Sequence, residues 1–246
     1  MLDISPHQAA GGDITGGTVA DWLVTGWFTP DYRPLAEAFA GNLRAHGAPC
    51  HLWSKPALGE WNTRRKPTVV LETMDAYPGK TVVLMDVDCV VRGDISPITH
   101  TNRDVGIVVI ARNMANRTGL RHWLAMECSS RVVVFRPTDG ARRFAQAWDA
   151  QIERSAFAHD EHSMAWAFLS SVGVGFTYID QRFSGREVGQ LPNAVIVHDS
   201  EHEKARKRQR GGLREVLRDI ERRYFRTGRT KARKLQGEMS VLVETA

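Results

Sequence analysis

Thr81 to Val91 reads TVVLMDVDCVV, an apolar, β-prone run that breaks on two carboxylates, Asp86 and Asp88. Val82 to Met85, with Thr81 ahead of them, suit a strand buried on both faces. Unpaired buried charge is costly, so a buried strand ends in two acids only where something cationic meets them. At the carboxyl end of a strand in an open α/β sheet, that something is usually a metal ion carrying phosphates.

The flanking pattern supplies the rest of such a sheet. Asp21 to Gly26 reads as a first strand, followed by a polar loop from Trp27 to Arg33. Pro34 then marks a helix start, Leu35, Ala38, Phe39 and Leu43 form its apolar stripe, and Gly47 stops it. His51 to Ser54 is a second strand, and Lys66 to Tyr77 a helix ended by Pro78-Gly79. Beyond the acids come an apolar run from Asp104 to Ala111, a strand from Arg131 to Arg136, and a helix from Asp139 to Ile152. Phe144, Trp148 and Ile152 recur on that helix at four-residue spacing. A helix from Glu161 to Leu169, a strand from Gly175 to Ile179 and a last strand from Asn193 to Val197, ending at His198, complete the series. Strands alternating with helices predict an α/β fold, Rossmann-like, with a mainly parallel sheet flanked by helices. The 246 residues, 42% apolar and 25% charged, suffice for a single substantial domain.

The expected organisation is a loose, polar leader over 1–20, the α/β domain over 21–202, and a basic C-terminal helix and tail over 203–246. Leu213, Val216, Leu217, Ile220 and Tyr224 share one face of that helix, and Arg214, Arg218, Arg222 and Arg226 form a separate row. Glu203 to Leu235 holds 14 Lys/Arg against 4 Asp/Glu, so the net charge of +5 resides in the tail. This suggests contact with a polyanion through 203–235; a solvated helix face is the plainer reading. No run of eighteen apolar residues predicts a membrane span, and the leader lacks the basic start of a signal peptide. Cys50, Cys89 and Cys128 have no metal-ligand spacing, and three scattered thiols fit a reducing compartment, so a cytoplasmic location is expected.

With these residues in hand, the chain over roughly 21–210 resembles nucleotide-sugar glycosyltransferases of the GT-A fold, of the retaining kind related to glycogenin-like and galactosyltransferase enzymes. The resemblance is carried by TGWFTPDY after the first strand, by Arg65-Lys66-Pro67 opening a helix, by the DxD motif Asp86-Val87-Asp88, by Asp160-Glu161-His162, and by His198 six residues before Lys204. It implies a metal site of Asp86, Asp88 and His198 holding Mn²⁺ or Mg²⁺, with the imidazole favouring Mn²⁺. It also implies a nucleotide-sugar site drawing on Thr25, Gly26, Phe28, Tyr32, Arg65, Lys66, Asp86 and Lys204. Asp160 and Glu161 would be the catalytic carboxylates beside the transferred sugar, or alternatively helix-capping acids. Phe28 and Tyr32 either meet the base or simply pack, and Arg65 and Lys66 either bind phosphate or cap the preceding turn.

The reaction implied is transfer from a nucleoside-diphosphate sugar, a UDP-sugar favoured, to a hydroxyl of an acceptor glycan or of modified DNA. The competing reading is a haloacid-dehalogenase-type phosphatase with the DxD as nucleophile and acid/base. About eighty residues of α/β pattern ahead of the motif fit that reading poorly. A sugar-nucleotide pyrophosphorylase would need a Gly-rich loop after the first strand, and TGWFTPDY is not one. A purely nucleic-acid-binding protein lacks any supporting motif.

Overall fold

The computed structural model describes residues 12–18, 21–56, 65–113, 124–154, 160–185 and 193–198. The chain divides into two compact units, and nearly all described residues belong to the first, Met1–Ile110 with Glu127–Ser200. Strand β4 (Thr81–Met85) is buried at every position, as its unbroken apolar run requires. It lies at the centre of a seven-stranded sheet, with β1 (Ile14–Gly16), β3 (Cys50–Ser54) and β2 (Trp22–Phe28) on one side. On the other side follow β7 (Leu124–Phe135), β6 (Val105–Asn113) and β8 (Phe176–Tyr178). β2 runs parallel to both β3 and β4, and β6 runs parallel to β8; β1–β3 and β4–β7 are antiparallel.

Because β3 and β4 lie on opposite sides of β2, the chain reverses its direction of travel across the sheet at β2. The carboxyl ends of β2 and β4 therefore form a topological switch point, where open α/β sheets carry their ligands. Side-chain alternation along β4 sorts the core into two layers. Val83 and Met85 join one cluster with Ala36, Phe39, Ala40 and Leu43 of helix α1 (Arg33–Ala45). Val82 and Leu84 join the other, which includes Val70 and Met74 of α2 (Lys66–Ala76). To this layer α4 (Asp139–Arg154) contributes Phe144, Trp148 and Ile152, and α5 (Asp160–Ser170) contributes Met164 and Ala167. The mixed α/β architecture, helices on both faces of the sheet, is thus as the residue pattern predicts.

Local chemistry sets the element ends. α1 stops at Gly47, whose φ of +67° disfavours a side chain, with Gly47 N–H bonded to Arg44 O and Ala48 N–H to Leu43 O, both at 3.0 Å. Its buried stripe is Ala36, Phe39, Ala40 and Leu43, so the expected Leu35 and Ala38 are displaced; Ala38 is exposed. Ile14–Gly16, assigned by the sequence to a loose leader, instead pair with β3 as an edge strand. The Asp13 carboxylate helps hold that segment, accepting from the Ser54 N–H at 2.7 Å and lying 3.1 Å from His51 Nε2.

A second, two-stranded ribbon lies just past the acids. β5 (Cys89–Val91) pairs antiparallel with β9 (Ile196–His198), in a register that sets Cys89 opposite His198. Gly185 braces β9 from its other side, its N–H bonding Ile196 O and its carbonyl accepting the His198 N–H. A single turn, α3 (Ser96–Thr99), follows β5. β9 starts at Ile196, later than the expected Asn193, and β7 extends back to Leu124, well before Arg131. The basic segment 203–246 lies outside the described residues.

Candidate functional site

The acids leave β4 in a tight turn. Asp86 N–H donates to Arg131 O across the β4–β7 pair at 3.2 Å, and Asp86 O accepts the Cys89 N–H at 3.0 Å. That turn feeds β5, and β5 sets the register of β9. His198 is thereby delivered to Asp88, with Nε2 2.9 Å from Oδ2, although more than a hundred residues separate them. One ligand atom from each of Asp86, Asp88 and His198 lies within 4.8 Å of the others. Two carboxylates and an imidazole at such spacing suit a divalent cation such as Mn²⁺.

Beneath this group lies a cation of the protein's own. Lys66, at the start of α2, is only 4% exposed. Its Nζ is 2.8 Å from Asp86 Oδ1, 2.8 Å from Asp160 Oδ2, and 3.1 Å from both Ser130 O and Ser130 Oγ. Ser130 Oγ in turn donates to Asp160 Oδ2 at 2.5 Å, and Trp148 Nε1 donates to the Asp160 carbonyl at 3.1 Å. The ammonium therefore joins β4, β7 and the first residue of α5 at one point.

Burial would depress the Lys66 ammonium, yet the charges of Asp160 and Asp86 hold it well above the usual lysine range. The two carboxylates respond differently. Burial pushes Asp86 up and, with repulsion from Asp88 and Asp160 added, outweighs what the Lys66 charge and hydrogen bond return. At Asp160 burial also works upward, but the Lys66 charge, the Lys66 and Ser130 hydrogen bonds and the Glu161 N–H together bring it below the usual range. Burial likewise opposes the His198 imidazolium, and Asp88 and Asp86 outweigh it, raising His198. A bound cation would reverse the shifts at Asp86 and His198, because it takes the place of the proton.

The other residues expected at a nucleotide-sugar site divide. Gly26 stands at the switch point: a Cβ there would come 2.6 Å from Met85 O, so the close approach of β2 to the end of β4 itself requires glycine. Thr25 packs inside the fold. It is fully buried, its hydroxyl donating to His51 O at 3.1 Å and lying 2.8 Å from Thr73 Oγ1. Phe28 is also core, 1% exposed with the Arg33 guanidinium 5.0 Å above its ring, which leaves no face for a base. β2 is buried from Leu23 to Gly26 and again at Phe28, with Trp27 half-buried between them. Tyr32 is partly buried against the same cluster. Arg65 is half-buried, with its Nε sequestered and without a hydrogen-bond partner among the described residues. Glu161 is one-quarter exposed, 3.8 Å from Arg131. Lys204 lies outside the described residues.

Ser130 and Arg131 were missed as site residues. Cys128 and Val133 share one core layer although an odd number of positions separates them, so the pleat slips between them. That slip falls on Ser129-Ser130-Arg131, and no local pattern in SSRVVVF announces it. Three buried thiols remain free, and among the described residues no helix is long and apolar enough to cross a membrane.

No protein-family model matches the chain, and no curated protein matches it. Among solved structures, a glycosyltransferase involved in glycosylation of the major capsid of PBCV-1 matches with a TM-score of 0.50 and 14% identity, over 72% of this chain and 92% of that one. The glycosyltransferase GlyE of Streptococcus pneumoniae TIGR4 matches at 0.47 and 10%, over 72% of this chain and 54% of its own. The galactosyltransferase LgtC, solved with donor and acceptor sugar analogues, matches at 0.41 and 11%, over 71% and 86%. The likeness does not favour the phosphatase alternative. The chain thus has a GT-A-type fold, a mixed α/β architecture with a mostly parallel sheet flanked by helices, similar to that of the PBCV-1 capsid glycosyltransferase.

Proposed function

We propose that this chain is a metal-dependent glycosyltransferase that moves a sugar from a nucleoside-diphosphate sugar to a hydroxyl acceptor. The observation that carries the proposal is the meeting of Asp86, Asp88 and His198 at the switch point of the sheet. Charge supports it. Among the described residues, Asp86 and Asp160 share the Lys66 ammonium and Asp88 meets the His198 ring, so the carboxylates gathered there suit a divalent ion.

Asp86, Asp88 and His198 would hold Mn²⁺ or Mg²⁺. Bound there, the ion would supply Lewis-acid stabilisation of the diphosphate leaving group. Lys66 holds Asp86 by Oδ1 and Asp160 by Oδ2, which fixes the metal carboxylate relative to the carboxylates proposed for the sugar. Asp160 is largely committed inside the fold, so Glu161, the more exposed of the two, is the better placed to meet the transferred sugar. Gly26 allows close backbone approach at the mouth, and Lys204 would add a charge on the diphosphate.

A UDP-sugar is the donor we favour. Retention of anomeric configuration follows from the resemblance, and NMR of the first-formed product tests it. A polyanionic acceptor such as modified DNA would suit the basic tail, and a cell-surface glycan is the other acceptor class. The deciding experiment is hydrolysis of UDP- and GDP-sugars with Mn²⁺. We expect turnover that is lost on chelation and in Asp88→Asn. Turnover of p-nitrophenyl phosphate without any sugar-nucleotide hydrolysis would overturn the reading in favour of a phosphatase.

A further inference from the structure

Arg131 stands directly across the β4–β7 pair from Asp86, its carbonyl accepting the Asp86 N–H. It is 6% exposed, and its NH1 is buried without a hydrogen-bond partner among the described residues. Its NH2 lies 3.8 Å from Glu161 Oε1, beyond hydrogen-bond range, so that pair is a charge contact and not a hydrogen bond. These two contacts set Arg131 beside both the first of the cation ligands and Glu161. A buried donor left without an acceptor is costly, and native proteins keep few of them. Here the cost is met at a switch point, where the slip in β7 re-aims a side chain.

A guanidinium fork matches the oxygens of a phosphate, and charge-assisted bonds of this kind are among the strongest a side chain makes. We propose that Arg131 is a binding residue for the donor's diphosphate, its NH1 donating to a phosphate oxygen of the group held by the cation. This deepens the function proposed above and rests on it.

The test uses the full chain and inorganic pyrophosphate, a probe that carries no base or sugar, titrated calorimetrically in saturating Mn²⁺. Mn²⁺ affinity is measured separately by electron paramagnetic resonance, and Tm by calorimetry. We expect Arg131→Gln to weaken pyrophosphate roughly 10- to 100-fold and Arg131→Lys to recover part of the loss. In both variants Mn²⁺ affinity and Tm should stay near those of the parent. Unchanged pyrophosphate affinity in Arg131→Gln would overturn the proposal, while Mn²⁺-dependent binding that Asp88→Asn abolishes would leave the proposed function standing. A joint fall of pyrophosphate affinity, Mn²⁺ affinity and Tm in both variants would make Arg131 structural and also overturn it. A loss confined to UDP-glucuronate, with pyrophosphate untouched, would assign the guanidinium to a sugar carboxylate instead. If the parent chain binds no pyrophosphate with Mn²⁺, this inference and the proposed function fall together.

Discussion

Lys66 is a single buried ammonium on which two carboxylates depend, Asp160 buried and Asp86 partly buried, and replacing it separates structural from chemical roles. Lys66→Met keeps the length of the side chain and removes its charge, leaving Asp86 and Asp160 to repel one another inside the fold. Breaking a buried pair from one side costs about 3–5 kcal/mol. We expect a loss of that order in chemical denaturation, together with loss of donor hydrolysis. The compensating variant is Lys66→Met with Asp160→Asn, which removes one of the stranded charges; it should regain part of the stability and none of the turnover.

His198 makes a second prediction at the same scale. In the metal-free protein its pKa is raised above the ordinary 6.5, with burial opposing and Asp88 outweighing it. A raised folded pKa means that the His198–Asp88 contribution is full below the unfolded value and fades as pH climbs through the folded one. Metal binding requires the neutral ring, so it has the opposite slope. Between about pH 6 and 8, metal-free Tm should fall while Mn²⁺ affinity rises. Parallel trends in the two measurements would remove His198 from the metal site.

The element scale is governed by how close β2 comes to the end of β4. A Cβ at Gly26 would meet a backbone carbonyl, which cannot rotate aside as a side chain would. Gly26→Ala must therefore part the strands just where Met85 leads into Asp86, at a cost of about 1–3 kcal/mol for overpacking. We expect reduced Tm and a several-fold weaker Mn²⁺ affinity, the second because the turn holding both acids shifts. Stability lost with metal affinity intact would show that the turn is set by β7 alone. Elements whose burial is local could be read from the residues: β4 from its unbroken apolar run, and α4 from Phe144, Trp148 and Ile152. The acids and His198 were legible too, because each closes an apolar strand. What joins them was not, since the Cys89–His198 register is a contact between distant segments. Lys66 was named for the site, bound to phosphate or capping a turn, but its burial was hidden: only the packing of α2 beside β7 and α5 encloses it and turns it to Asp86 and Asp160. Phe28 takes the packing alternative, an aromatic at a loop edge that the core absorbs.

Across the whole molecule, charge is separated along the chain. Residues 203–235 carry 14 Lys/Arg against 4 Asp/Glu, so all other residues together are net acidic although the total is +5. An acidic body repels nucleic acid, and any affinity for a polyanion must then come from the basic segment, as a salt-dependent term blind to sequence. A chain ending at Lys204 keeps the residue proposed for the diphosphate and loses thirteen of the fourteen basic ones. We expect the full chain to retard duplex DNA with a log–log salt slope of roughly −4 or steeper, as about four or more neutralised phosphates would give. The shortened chain should lose that retardation and keep its Mn²⁺-dependent hydrolysis of donor. Binding that survives the deletion, or that ignores salt, would mean that the charge of the tail serves something other than a polyanion. Loss of hydrolysis with the deletion would instead tie the segment to donor turnover, and the acceptor would have to be sought from the Glu161 side of the site.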